Sequence, residues 1–253
     1  MATTGLIAGQ QFEALIVLAD PTFVIKGWHG FLFTIAVTVF AIVCNTILIR
    51  KLPLLEGMFL ILHVAGFFAF LVVLWVMAPR SPAKEVFTAF EDKNNWGSKG
   101  LATLVGILGP VITLIGSDSA CHLSEELKDA SWSLPRSMVA TAVCNYILGF
   151  IMTITLVFTI GDVDTVLATP TLQPYVAVLQ NATQSLAATA TLTTVMAVML
   201  VFCAVNLVTT SSRQLYAFAR DGGLPFSAFL SRVSSFPKMV SRLQKTDCTF
   251  PGP

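Results

Sequence analysis

The stretch LATLVGILGPVITLIGSDSACH, residues 101–122, decides how this chain is read. It carries a single charge, Asp118, and about 20 helical residues cross a hydrocarbon core about 30 Å thick. It is therefore long enough to span a membrane, yet too interrupted to be a plain rod. Pro110 removes a backbone donor and kinks a helix. Gly116 stands among short polar side chains in Ile115-Gly116-Ser117-Asp118-Ser119. Those side chains compete for backbone hydrogen bonds, so unwinding there costs little. Lipid cannot satisfy free peptide groups, so irregular backbone at membrane depth belongs where it lines a cavity. A glycine-interrupted span beside an acid is thus the expected substrate site, formed by Ile115, Gly116, Ser117, Asp118 and Ser119. Freed amides at the start of the second half-helix would face a substrate carboxylate. Asp118 would serve an amino or quaternary ammonium group, or take part in proton coupling. A carboxylate at mid-membrane costs about 2.5–3.5 kcal/mol, so it is rarely idle there. The competing reading puts Asp118 at the cytoplasmic end of the span, where water reaches it.

The same pattern extends outward on both sides. Residues 30–49, 57–78, 138–160 and 186–210 form four blocks of spanning length without Asp, Glu, Lys or Arg. A shorter apolar stretch, 6–18, is interrupted by Gln10, Gln11 and Glu13 and is expected to be part of a further span. The whole chain is 55% hydrophobic and 11% charged, against about 25% charged in a soluble domain, so it lacks the residues for a polar skin. Barrel strands would be shorter and would alternate, which leaves an all-α, polytopic transmembrane helix bundle.

Alternate loops share a side of the membrane. Segments 50–56, 123–137 and the tail from 211 hold ten Lys and Arg, against five in 20–29, 79–100 and 161–185. The positive-inside bias places the first group in the cytoplasm. Asn181-Ala-Thr183 is a possible glycosylation acceptor on the predicted outer side. Met1 is followed by Ala-Thr-Thr and no basic region, so a cleaved leader is not expected. Net charge is +1 and no basic patch with interleaved aromatics occurs, so a nucleic-acid partner is not expected.

Other polar positions invite chemistry less directly. His122, Glu125 and Glu126, with Lys128 and Arg136 nearby, read as a cytoplasmic gate or ion-pair cluster. Asn206, Thr209, Thr210, Ser211, Ser212 and Arg213 close the last span, where hydroxyls hold sodium or cap carbonyls. His63 sits alone in an apolar span and reads as a hydrogen-bonded packing residue ahead of a proton relay. The cysteines, Cys44, Cys121, Cys144, Cys203 and Cys248, contain no C-x-x-C, so no metal site and no redox pair are expected. Asp118, Ser119 and His122 superficially resemble a hydrolase triad. However, Asp118 stands where the serine of a G-x-S-x-G elbow belongs, so no enzyme is expected. No P-loop is present, so ATP-driven transport by this chain alone is not expected either.

The segment from Gly116 to Arg136, Gly-Ser-Asp-Ser-Ala-Cys-His-Leu-Ser-Glu-Glu-Leu-Lys-Asp-Ala-Ser-Trp-Ser-Leu-Pro-Arg, closely resembles the loop after the sixth helix of fungal amino-acid, GABA and choline permeases. These belong to the amino acid–polyamine–organocation superfamily. The segment from Ser211 to Pro225, with Arg213, Arg220 and Asp221, is similar to their cytoplasmic connection between helices eight and nine. Trp28-His-Gly30, Asn45-Thr46, Leu52-Pro-Leu-Leu-Glu-Gly57 and His63-Val-Ala-Gly-Phe-Phe68 are similar to their fourth and fifth helices. The resemblance covers roughly residues 5–233.

It implies a transporter whose first ten helices form two inverted five-helix repeats, with substrate between the broken first and sixth helices. The five spans then correspond to helices four to eight, and 6–18 to the end of the third. Residues 1–233 would form a partial permease domain. Residues 234–253 would be a tail outside the family pattern, reading like a truncated or mispredicted gene product. The resemblance further implies secondary active uptake of an amino acid or amine of the GABA or choline class. Uptake would be coupled to a proton gradient without any cofactor, at the plasma membrane or an internal membrane such as the vacuole. The alternative is a non-transporting fragment, or a chain that acts by associating with a full-length permease.

Overall fold

The computed structural model describes residues 2–48, 51–88, 92, 95–109, 111, 116, 119–126 and 129–230. The chain divides into one compact unit through Thr209 and another from Thr210. Among the described residues every element is helical. Four helices are long and apolar enough to cross a membrane: α2 (Gly27–Ile47), α3 (Leu52–Met77), α6 (Ala130–Thr159) and α9 (Leu186–Arg220). α1 (Ala2–Ala19) precedes them. Between them lie the short helices α4 (Ala83–Thr88), α5 (Lys99–Gly106), α7 (Val163–Leu167) and α8 (Pro174–Thr183), and a 3₁₀ helix, Ser119–Glu126. α10 (Ser227–Leu230) closes the described part of the second unit.

Sequence chemistry sets most boundaries. Pro53 occupies the first turn of α3 and Pro174 that of α8, where a missing amide proton costs nothing. The Ser98 hydroxyl accepts from Leu101 N–H at 3.1 Å and starts α5. Three boundaries differ from the sequence reading. Segment 123–137 was expected to be a polar loop, yet α6 already begins at Ala130. Trp132 and Ser133 N–H groups both bond the Asp129 carbonyl at 3.0 Å, so the polar stretch is the first turn of a helix. The last span was expected to end in the hydroxyl cluster 206–213, yet α9 is helical through Arg220. Segment 161–185 is not a plain loop either, for it folds into α7 and α8.

The first unit packs through small residues and a few polar ties. On α1, Gly5 and Gly9 meet α2: a Cβ on Gly9 would lie 3.0 Å from Phe33 Cβ and 3.4 Å from the Gly30 carbonyl. Small residues four apart let helix backbones approach closely in lipid, where no hydrophobic force pushes helices together. Ala8, Val37 and Ala204 bring α1, α2 and α9 into one buried cluster. Ala41, Cys44, Leu52 and Val205 form a second cluster that joins α2 and α9 to the start of α3. Gly66 of α3 leaves room for Met199 of α9, and Phe59 stacks on Phe202. Asn45 Nδ2 donates to the Val205 carbonyl at 3.0 Å and Thr209 donates to Asn45 Oδ1 at 2.5 Å, tying α2 to α9. Trp75 Nε1 donates to Thr155 Oγ1 at 2.9 Å and ties α3 to α6. α8 lies over α3 through Leu74, Val178, Leu179 and Ala182.

The outward faces are apolar. Phe31, Phe150 and Val76 are 64%, 68% and 76% exposed. Such faces need a non-aqueous surround, and the chain is an integral, multi-pass membrane protein.

Candidate functional site

At the interrupted segment, α5 ends at Gly106 and the 3₁₀ helix begins at Ser119. Between them Gly116 has φ +103°, a conformation that glycine adopts at no steric cost. Its carbonyl accepts twice from Ser119, from N–H at 3.0 Å and from Oγ at 2.6 Å. The glycine therefore makes a tight turn, fastened by the hydroxyl three residues on. Ile115, Ser117 and Asp118 lie outside the described residues. The following 3₁₀ helix packs on α6, where Cys121 Sγ lies 3.4 Å from Met138 Sδ. The backbone of His122, Glu125 and Glu126 belongs to this 3₁₀ helix, and their side chains lie outside the described atoms.

Arg136, expected in a gate, is exposed and its guanidinium sits 3.7 Å above the Trp132 ring one turn earlier on α6. That is a cation–π contact within one helix. In the second unit, Arg220 and the adjacent Asp221 form an exposed pair at 3.5 Å, an arrangement of little energetic weight. Gly222 follows at φ +75°, and Gly223 N–H bonds the Phe218 carbonyl at 3.0 Å, which terminates the helix. Arg213 lies within the same helix. Asn181 is exposed on α8. Its partner in the acceptor tripeptide, Thr183, is buried and hydrogen-bonded to Thr189 Oγ1 at 3.0 Å, so the folded chain shields that hydroxyl.

A feature that the sequence showed only as an interruption is a buried polar network on α1. Gln11 is 2% exposed and its amide donates to Gln173 Oε1 at 3.0 Å. Tyr175 of α8 donates to Gln11 Oε1, and Gln173 donates to Gln10 Oε1 at 3.4 Å. The network ties α1 to α8. Burial pushes the Tyr175 phenol up to about 12, well above the ordinary tyrosine value. The neutral phenol contributes stability below pH about 10, and that contribution is lost as pH rises through about 12. Tyr175→Phe is expected to remove the phenolate transition near pH 12 from an alkaline absorbance titration.

Beside Tyr175 a cavity of about 240 Å³ opens between α3, α6, α8 and α9, lined chiefly by Phe67, Phe70, Met152, Met196 and Met199. His63 lies at its edge, exposed and without a hydrogen bond among the described residues, not packed and bonded as expected. Apart from His63 and Tyr175 the lining is apolar and suits a hydrocarbon group. Among the described residues no group of His, Cys, Asp and Glu could hold a metal ion.

Spanning apolar helices joined by small residues define a polytopic membrane protein. The amino acid permease family profile matches residues 1–240, and the chain belongs to that family. A Macrophomina phaseolina protein named "Putative amino acid/polyamine transporter" is 34% identical over 233 residues, 92% of this chain and 51% of that protein. The choline transporter of Saccharomyces cerevisiae is 25% identical over 235 residues, 92% of this chain and 42% of that protein. Amino-acid permease 2 of Neurospora crassa is 26% identical over 241 residues, 92% of this chain and 43% of that protein. The chain thus spans about half, or less, of the length of these curated relatives. No solved structure matches it significantly.

Proposed function

We propose that this chain forms the central part of a proton-coupled secondary transporter for an amino acid or a related amine, including the GABA and choline class. The observation that carries the reading is the glycine turn at Gly116 within an otherwise apolar, span-length stretch. A peptide turn there supplies backbone donors and acceptors to a small zwitterion or cation, and Ser117, Asp118 and Ser119 complete the local set. The relatives' printed names, amino acid/polyamine transporter and choline transporter, support the substrate class. The membrane is proposed to be the plasma membrane, with an internal membrane as the other location.

A second reading is that the chain acts together with another permease chain. Uptake of labelled amino acids, GABA, choline and polyamines by a transport-deficient host tests both. The chain is expressed alone, then joined in frame to the remaining helices of a relative, with and without a protonophore. Protonophore-sensitive uptake of one of these substrates supports the first reading. Uptake that requires co-expression of a separate permease supports the second. No uptake in any arm contradicts both.

A further inference from the structure

Glu13 is the one buried acidic or basic side chain among the described residues, at 3% exposure. Its Oε1 is buried without a hydrogen-bond partner. The carboxyl lies against Gly30 in the first turn of α2: a Cβ added there would sit 3.5 Å and 3.8 Å from its two oxygens. Those are ordinary contact distances, so the carboxyl packs directly against the α2 backbone at Gly30. Leu6 Cδ1 lies 3.8 Å from that same Cβ position, and Phe12, next to Glu13 in the chain, stacks on Phe33 at 5.7 Å.

We propose that Glu13 is a proton-binding site at the α1–α2 junction, holding its proton while the helices are closed and releasing it when water enters. The proposal rests on the proton-coupled reading above and names the group that carries the proton. An ionised carboxylate with a bare buried oxygen is expensive unless a cation pairs with it, whereas a neutral carboxyl is tolerated. From α2 the titratable group acting on Glu13 is His29. The His29 Nδ1 accepts the Lys26 N–H at 3.2 Å, and its ring is held between Phe23 and Trp28, with no ion pair to Glu13. From α8 the titratable group is Tyr175, engaged with Gln11. From α9 the residues that pack with Ala8 of α1 and Val37 of α2 are the apolar Leu200, Val201 and Ala204. On α1 itself the next acid is beyond the helix end, Asp20, exposed and bonded to Thr22. Among the described residues His29 is thus the one titratable group whose charge acts on Glu13, and the two form no ion pair. Gly5 and Gly9 form a close but narrow α1–α2 contact, and parting of the two helices would wet the carboxyl and let the proton leave.

The test uses the purified chain in lipid nanodiscs at neutral pH. Infrared spectra of the wild type should contain a protonated-carboxyl C=O band that Glu13→Gln loses and Glu13→Asp keeps. A lipid-soluble carbodiimide, which attacks protonated carboxyls in apolar surroundings, should label the Glu13 peptide of the unmodified chain by mass spectrometry. That measurement needs no variant to fold. Identical spectra in wild type and Glu13→Gln, or an unlabelled Glu13 peptide, would overturn the assignment. Failure of the coupling reading is seen separately, as uptake by the joined transporter that ignores a protonophore.

Discussion

Replacing Gly116 with leucine should reduce substrate uptake by the joined transporter to background, with the protein still in the membrane. At φ +103° a leucine is strained, by about 1–3 kcal/mol for a residue held in a sparsely populated region. The segment escapes that strain by rewinding, because leucine is a good helix former and glycine a poor one. Rewinding draws the Gly116 carbonyl away from the Ser119 N–H and hydroxyl, the two bonds that fasten the turn. It also removes the turn on which substrate binding is proposed to depend. A Cβ itself meets only Ser119 Oγ, at an ordinary 3.5 Å. Gly116→Ala should therefore be intermediate, since its penalty is conformational and not steric. A loss of tenfold corresponds to about 1.4 kcal/mol, within that strain. Full activity in both variants would remove the turn from the mechanism.

The second large effect is structural. Gly9→Leu should destabilise the first unit by about 2–3 kcal/mol, near the upper range for overpacking, read as a fall in the unfolding midpoint in detergent. The atoms in the way are not flexible tips. They are Phe33 Cβ at 3.0 Å, the Gly30 carbonyl at 3.4 Å and Thr34 N at 3.5 Å, all on or next to the α2 backbone. Relief requires α1 and α2 to separate, which would also open the apolar surround of Glu13. Gly66→Leu meets a softer obstacle, the terminal methyl of Met199 at 2.7 Å. It should cost less than Gly9→Leu, because a methionine end swings aside more easily than a helix backbone. An equal or larger effect at Gly66 would contradict this account of the α1–α2 contact.

The spanning helices were legible because hydrocarbon thickness imposes a length that composition alone reveals. Blocks 30–49, 57–78, 138–160 and 186–210 lie largely or wholly within α2, α3, α6 and α9. The turn at Gly116 was legible because glycine among short polar side chains unwinds at little cost. Boundaries were less readable. Ala130 to Ser137 looked like loop because it is polar, yet a helix leaving the bilayer can be polar on all sides, and Asp129 supplies its starting carbonyl. Asn206 to Arg213 looked like a helix end for the same reason. The network of Gln10, Gln11, Gln173 and Tyr175 was hidden. Its partners are some 160 residues apart in the chain, and only the packing of α8 on the first helices brings them together. Within α1, the clue was present as Gly5 and Gly9 followed at the same spacing by Glu13, a small-residue face ending in an acid.

The most direct test of the central claim, that a glycine turn in residues 101–122 lines the substrate path, is thiol accessibility. Ser119→Cys is placed in the joined transporter after Cys44, Cys121, Cys144, Cys203 and Cys248 are replaced by serine, and its modification by a water-soluble, charged thiol reagent is followed with and without transported substrate. Rapid modification that substrate slows is the predicted result; a thiol that the reagent never reaches, or reaches at the same rate whether or not substrate is present, would contradict it.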